Sequence, residues 1–212
     1  MNIIDYSSVI IPASTIGAAA FALSGYLAAT RKELDLMGIF IVAFLTANGG
    51  GVMRDLLIGH PPIILSSMLP FGLTAGVIIL AALFKLQRLD HLEKSWFFVI
   101  SDGIGVVAVG ITGALVGIEE NLHVFAVLTL ALLTAVGGGI IRDILTDKVP
   151  IVFHSGFNGT VVSILTIVLY GLHQVALLTP LFIILVFAAA LILRLIAHWR
   201  NWQLPKFPNN DS

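Results

Sequence analysis

The chain has 212 residues, 58% of them hydrophobic and only 11% charged, with a formal net charge of −1. A soluble domain carries about 25% charged residues, so this composition, with a mean hydropathy of +1.03, excludes an ordinary soluble globule and points to a polytopic helical membrane protein. The near-zero charge gives no basis for nucleic-acid binding, and the absence of cysteine excludes disulfides and thiolate metal sites.

The opening MNIIDYSS has no Lys or Arg ahead of its apolar run, so the first hydrophobic segment reads as a retained transmembrane helix rather than a cleaved signal. Apolar runs then predict spans over 9–29, 36–58, 66–84, 96–117, 122–146, 155–175 and 177–199, each near the ~20 residues that cross a hydrocarbon core. Polar or helix-breaking stretches separate them: RKELD at 31–35, GHPPI at 59–63, KLQRLDHLEKS at 85–95, IEEN at 118–121 and DKVPIVFHS at 147–155. Between the last two spans only His173 and Gln174 interrupt the apolar run, and Pro180 favours a break or a helix start. The prediction is an all-α protein of seven transmembrane helices, one membrane domain over 1–212 that ends in a tail at 200–212.

Charge placement orients the prediction. Arg31 and Lys32, then Lys85, Arg88 and Lys94, then Lys148, and finally Arg194, Arg200 and Lys206 all fall on one side of a seven-span topology. The positive-inside rule puts that side in the cytoplasm, with the N-terminus outside and the C-terminal tail inside the plasma membrane. Trp96, Trp199 and Trp202 fit an inner aromatic belt, and Tyr6 and Tyr170 an outer one. His60, His123, His154 and His173 lie near the predicted interfaces without metal-site spacing and read as ordinary interfacial residues. Basic residues near the spans also suit anionic lipid headgroups. The two basic residues left over are Arg54 and Arg142, and both belong to a repeated motif.

TANGGGVMRDLLIG at 46–59 and TAVGGGIIRDILTD at 134–147 carry the same triple glycine and the same Arg-Asp pair, 88 positions apart. The offset extends to Ile16-Gly17 with Ile104-Gly105, Ser24-Gly25 with Thr112-Gly113, and Pro62-Ile63 with Pro150-Ile151. Two three-helix repeats, 9–84 and 96–175, followed by a seventh helix at 177–199, account for the pattern. Because three is odd, the second copy enters the membrane from the other side, which makes the repeats inverted, as in many transporters. Gly49, Gly50, Gly51 and Gly137, Gly138, Gly139 then lie near the bilayer midplane. Arg54 and Arg142 stand about 6 Å to either side of that centre.

Glycine costs a helix interior roughly 1 kcal/mol against Ala, so two triplets need a reason. Unwinding would free backbone carbonyls to face a cavity, which is tolerated at this depth only beside protein or water; close helix packing by small residues is the alternative. An ionisable residue within a span usually faces a cavity or a partner. Arg and Asp at adjacent positions do not face each other on a helix, so Asp55 and Asp143 are expected either to take helix-end or neighbouring donors while the arginines line a route, or to serve in structural ion pairs alone. Asp102 reads either as a cation-attracting group at a pore mouth, or as part of a capped helix start or a hydrogen bond to a neighbouring Ser or Thr; its counterpart is Ser14. Asn48, which faces Val136 in the alignment, can offer a carbonyl to a permeant species. Thr46 and Thr134 either do the same or bond back to a helical carbonyl.

With these motifs in view, the chain resembles the prokaryotic branch of the trimeric intracellular cation (TRIC) channel family, which overlaps bacterial proteins described as glycine transporters. FALSGYLAA, TANGGGVMRDLL, SDGIGVVAVGITGAL and TAVGGGIIRDIL carry the likeness over nearly all of 10–200. The resemblance implies a homotrimer of seven-helix protomers, each with its own pore for potassium and sodium between spans 2 and 5, kinked at their glycines. It also implies Asp ahead of the glycine at Gly17, where Ser14 stands here, while Asp102 keeps the acidic residue in the second copy. The expected function is a passive monovalent cation channel, with a glycine transporter as the alternative, since Arg can clamp a carboxylate. No cofactor and no enzyme activity are expected, because no nucleophile-base pair or metal constellation stands out.

Overall fold

A computed structural model describes residues 6–88, 96–154, 157–200 and 202. Lys94, Lys206, the tail beyond 202 and the His154 side chain lie outside the described residues. Every regular element there is helical: α1 (Ser7–Arg31), α2 (Leu36–Leu57), α3 (Ile63–Ser66), α4 (Leu69–Leu83), a 3-10 turn at Leu86–Arg88, α5 (Trp96–Glu119), α6 (Val124–Leu145), α7 (Ile151–His154), α8 (Phe157–Gln174) and α9 (Pro180–Trp199). Seven of these fall on the predicted spans. Five, namely α1, α2, α5, α6 and α9, are long and apolar enough to cross a membrane. The third predicted span is shorter than expected, at 15 residues, because α3 takes up the chain after Pro62; α7 does the same after Pro150. The prolines therefore start short helices; the long ones before them have already ended, at the left-handed turns of Gly59 and Asp147.

The repeat in the sequence is visible in local backbone chemistry. Asp35 caps α2, its Oδ1 accepting from Gly38 N at 2.7 Å, and His123, 88 positions on, caps α6 by accepting from Ala126 N at 3.3 Å. His123 is thus a cap rather than a plain interfacial residue. Glu33 and Asn121 both turn the chain with φ near +55° (55° and 53°), and Gly59 and Asp147 do so with φ 75° and 52°. Left-handed φ at a non-glycine residue is uncommon, so matched occurrences at matched positions mark one turn design used twice.

Helices α1, α2 and α4 pack together, as do α5, α6 and α8; the α1–α5 and α2–α6 contacts join the two groups, and α9 lies against α5 and α8. Protein surrounds α5, with 83% of its apolar window buried against 22–39% for the other four crossing helices. Its small residues allow this crowding: Gly105 lies against the Phe21 ring, and Gly113 and Gly117 against the backbone of α6. The remaining helices keep broad apolar outer faces, as a lipid solvent permits.

Contacts sort the connections onto two ends. At one, Tyr6 N donates to Glu119 Oε1 (3.2 Å), Tyr6 Oη meets His173 Nδ1 (3.2 Å), and His60 Nε2 lies 3.5 Å from Glu120 Oε1. At the other, Lys32 Nζ lies 3.8 Å from Asp147 Oδ2, Trp96 packs edge-on to His198, and Trp202 packs on Phe157. Trp96, Trp199 and Trp202 are exposed, as a belt requires, whereas Tyr6 is only 3% exposed and sits inside the bundle instead.

Candidate functional site

The motif helices α2 and α6 meet at their glycines. Both run as unbroken α-helix through residues 49–51 and 137–139, so the freed carbonyls expected from unwinding are not formed. The glycines serve contact instead. A Cβ on Gly50 would lie 2.0 Å from the Thr134 carbonyl oxygen, and one on Gly138 would lie 2.1 Å from that of Thr46. Neither space could hold a methyl group, and the two contacts are reciprocal, as across a two-fold interface. Gly49 and Gly137 receive Ile141 and Met53 from the facing helix. Thr46 and Thr134 are fully buried beside this crossing, and their hydroxyls bond back to Val42 and Leu130 carbonyls.

The third glycine has a different neighbour. Gly51 and Gly139 stand one turn before Arg54 and Arg142 on the same helix face, and a Cβ there would approach the guanidinium at 4.0 and 3.8 Å. A methyl group at either position would be in ordinary contact, so the third glycine is not required for each arginine to fold along its helix. Arg54 donates from Nε (2.9 Å) and Nη2 (2.6 Å) to Asp55 Oδ1, and Arg142 Nε donates to Asp143 Oδ1 at 2.9 Å. Adjacent residues do pair here, contrary to the spacing argument, because the long arginine side chain curls back around the helix. Asp143 Oδ2 also accepts from Ile151 N at 2.9 Å, which ties α6 to α7.

Beyond this shared pattern the two copies differ. Arg142 is 1% exposed. Its Nη1 donates to Asp102 Oδ1 (2.6 Å) and to Ser24 Oγ (3.0 Å), and its guanidinium lies 4.8 Å from the Phe98 ring centroid. Asp102 lies in the second turn of α5 and is 4% exposed, clasped by Arg142 on one oxygen and by Arg194 of α9 on the other, so it is a hydrogen-bonded residue whose partners are arginines. Arg194, grouped by sequence with the tail charges, is buried at 7% exposure. Its Nη1 donates to Val99 O and its Nε to Asn158 Oδ1, each at 3.1 Å. Arg54 has Asp55 as its ion-pair partner among the described residues.

Each arginine borders a cavity. Arg54, Asn48, Gly51, Ser14, Thr112 and Thr134 line one of about 90 Å³, with room for several waters. Arg142, Asp102, Asp143, Val136, Gly139 and Asn158 line one of about 20 Å³, with room for about one. Every residue around the smaller cavity except Asp143 has its counterpart, 88 positions earlier, around the larger one. They are two copies of one site, one roomier than the other. In the larger copy, Ser14, Thr112 and Thr134 donate to carbonyls on their own helices and Asn48 Nδ2 donates to Phe44 O (2.9 Å). Their oxygens remain as acceptors.

Of the residues singled out from sequence, Asn48, Gly51, Arg54 and Thr134 thus gather at the larger cavity, and Asp102, Gly139, Arg142 and Asp143 at the smaller. Gly49, Gly50, Gly137, Gly138 and Thr46 lie at the helix crossing between them, and Asp55 holds Arg54. Sequence reasoning passed over Ser24, Thr112, Asn158 and the buried role of Arg194. The signal for Arg194 was available: it is a lone charge five residues inside the Trp199 end of an apolar run.

The chain matches the glycine transporter family model twice, over residues 12–87 and 99–174. It is 35% identical over 196 residues to the Bacillus subtilis UPF0126 membrane protein YvgT, covering 91% of this chain and 93% of that one. It is 30% identical over 201 residues to the Escherichia coli UPF0126 inner membrane protein YadS, covering 93% and 95%. Among solved structures it resembles a chain from work on conductance through TRIC cation channels (29% identity, TM-score 0.82, 95% and 98% covered). A prokaryotic TRIC channel crystallised in 0.5 M KCl is similar at 26% identity and TM-score 0.83, covering 93% of this chain and 99% of that one. The family resemblance read from the paired motifs is therefore upheld, and the chain belongs to the UPF0126, glycine-transporter-model family of multi-pass membrane proteins, with the TRIC channel fold.

Proposed function

We propose that this protein is a passive channel for monovalent cations, assembled as a homotrimer in the plasma membrane, with a route through each protomer between α2 and α6. The observation that carries the reading is the larger cavity, lined by Ser14, Asn48, Thr112 and Thr134, each of which already donates to a carbonyl of its own helix and keeps an oxygen able to accept. Such oxygens replace the hydration shell of a cation. The likeness to TRIC cation channels supports the same reading. A basic motif does not contradict it: Asp55 neutralises Arg54 and Asp102 and Asp143 neutralise Arg142, so neither arginine presents a bare charge.

In this reading α4 and α8 also cross, giving seven spans, and the two halves are inverted copies related across the α2–α6 contact. The reciprocal Gly50 and Gly138 contacts and the placement of Tyr6 and Trp202 at opposite ends favour it. Arg31, Lys32, Lys148 and Arg200 then place the Trp202 end in the cytoplasm, with Arg194 removed from the tally. Lipid covers the apolar outer faces.

A glycine carrier is the second reading. The larger cavity joins a guanidinium to acceptor oxygens, which suits the carboxylate and ammonium of a small zwitterion, and the matched family model bears that description. Purified protein in a planar bilayer under a potassium gradient separates them. The channel gives unitary cation currents, altered when Arg54 or Asn48 is replaced by Ala. Saturable glycine uptake into liposomes without such currents overturns the channel reading.

A further inference from the structure

The second copy departs from the first at the positions that receive Arg194. Its guanidinium bonds Asp102, Asn158 and the Val99 carbonyl, and Gly103 makes room for it, since a Cβ there would lie 2.7 Å from Nη1. The residues 88 positions earlier are Ser14 for Asp102, Thr15 for Gly103 and Pro70 for Asn158. The first copy thus has no charge, no gap and no side-chain acceptor where the second has all three. Helix α9 follows both copies and inserts its cation into only one of them.

The two arginines on Asp102 are not held alike. Three acceptors, spread over α5 and α8, fix Arg194 in place. Arg142 has a second carboxylate on its own helix, Asp143, and Arg54 in the first copy rests on the equivalent Asp55 with the cavity open beside it. Arg142 already rests on Asp143 as Arg54 does on Asp55 and reaches Asp102 with Nη1 besides, so it can let go of Asp102 and keep Asp143, provided Asp102 is not left alone. A buried carboxylate stripped of all partners is strongly unfavourable, and Arg194 is the cation that stays.

We propose that Arg194 is a positioning residue that makes the second cavity openable: it keeps Asp102 neutralised while Arg142 releases Asp102 and is held by Asp143 alone. Asp102 is then the catch, Arg142 the moving arm and Arg194 the fixed counter-charge. The inference rests on the pathway reading only for its effect on flux.

The test uses the absence of native cysteine. Single cysteines at matched positions, Asn48→Cys for the larger cavity and Val136→Cys for the smaller, are labelled in detergent with a small water-soluble thiol reagent. In the parent background Val136→Cys labels more slowly than Asn48→Cys. Removing Arg194 alone (Arg194→Gln) leaves Arg142 as the last partner of Asp102 and traps it. Labelling of Val136→Cys then slows by at least about tenfold, the factor set by one charge-assisted hydrogen bond. Gly103→Ala, which displaces only the flexible guanidinium tip, shifts the rate the same way. Replacing the pair together (Asp102→Ser with Arg194→Gln) removes one charge of each sign, gives the Asp102 position the residue of the first copy, and raises the rate towards that of Asn48→Cys. A purely structural role for Arg194 would loosen the cavity in every variant. Faster labelling in Arg194→Gln or Gly103→Ala, or a parent rate in the double variant, overturns the proposal. Lost currents with the labelling pattern intact would count against the route and not against the moving arm.

Discussion

The two motif copies share a backbone design and differ in what surrounds their arginines. In the first, Arg54 lies along α2 against Asp55 and faces a cavity of about 90 Å³. In the second, Arg142 keeps the equivalent bond to Asp143 and also reaches Asp102 and Ser24, and the matching space falls to about 20 Å³. The shared glycines and Arg-Asp pair are therefore not what opens or closes the space. The copies differ at Ser14 against Asp102, Thr15 against Gly103, Asn48 against Val136 and Pro70 against Asn158, and α9 places Arg194 in the second copy.

What the copies hold in common is the tightest feature of the molecule, and changing it should have the largest effect. Gly50→Ala or Gly138→Ala would drive a methyl group into a facing backbone carbonyl, at 2.0 and 2.1 Å. Backbone cannot step aside as a side-chain tip can, so α2 and α6 must separate. Overpacking of ordinary side chains costs about 1–3 kcal/mol, and these positions should exceed that, seen as loss of the folded protein on size exclusion in detergent. Gly72 and Gly76 on α4 have nothing within 4 Å, so the same change there should leave the protein intact. Equal tolerance at all four would mean that the α2–α6 crossing does not form as described.

The next effect separates the copies. Asp102→Asn leaves Arg142 and Arg194 buried together with Asp143 as their remaining carboxylate. Breaking a buried pair by removing one partner costs about 3–5 kcal/mol. In the first copy, Asp55→Asn affects an arginine whose side chain is 14% exposed and borders the larger cavity, so water can replace the lost contact. Thermal denaturation in detergent should show the larger drop in Tm for Asp102→Asn, and the reverse order would contradict the burial argument.

Sequence made much of this legible. The 88-residue offset, carried by glycines, prolines and the Arg-Asp pair, gave both units and the helices that bear the site. Hydropathy located the long helices within a few residues because a lipid solvent leaves little other choice. It did not reveal α3 and α7, since four-residue helices after a proline have no periodicity to read. Spacing also misjudged the adjacent Arg-Asp pairs, because the rule describes where Cβ atoms point and ignores the reach of a long guanidinium side chain. Arg194 was hidden by its position: near a helix end, a topology charge and a buried partner look alike until Asp102 is seen beside it. The choice between unwinding and close packing at the glycines was likewise open, since both need a residue without a side chain.

The smallest expected difference lies at the two caps, and it tests whether matched positions do matched work. Asp35 and His123 occupy the same place before α2 and α6, yet Asp35 reaches its amide at 2.7 Å with a charged oxygen and His123 at 3.3 Å with a ring nitrogen. A charge-assisted bond to a helix N-terminus also gains from the macrodipole, whereas a neutral imidazole accepts with one lone pair and loses it on protonation. Replacing an Asp cap by Ala costs about 0.5–2 kcal/mol. Asp35→Ala should therefore lower the Tm measurably, while His123→Ala should move it less. Equal shifts would show that the second half depends on its cap as much as the first does. The contacts of α6 with α5, α2 and α8 argue otherwise: a helix held along its length by three neighbours loses little when one terminal amide turns to water.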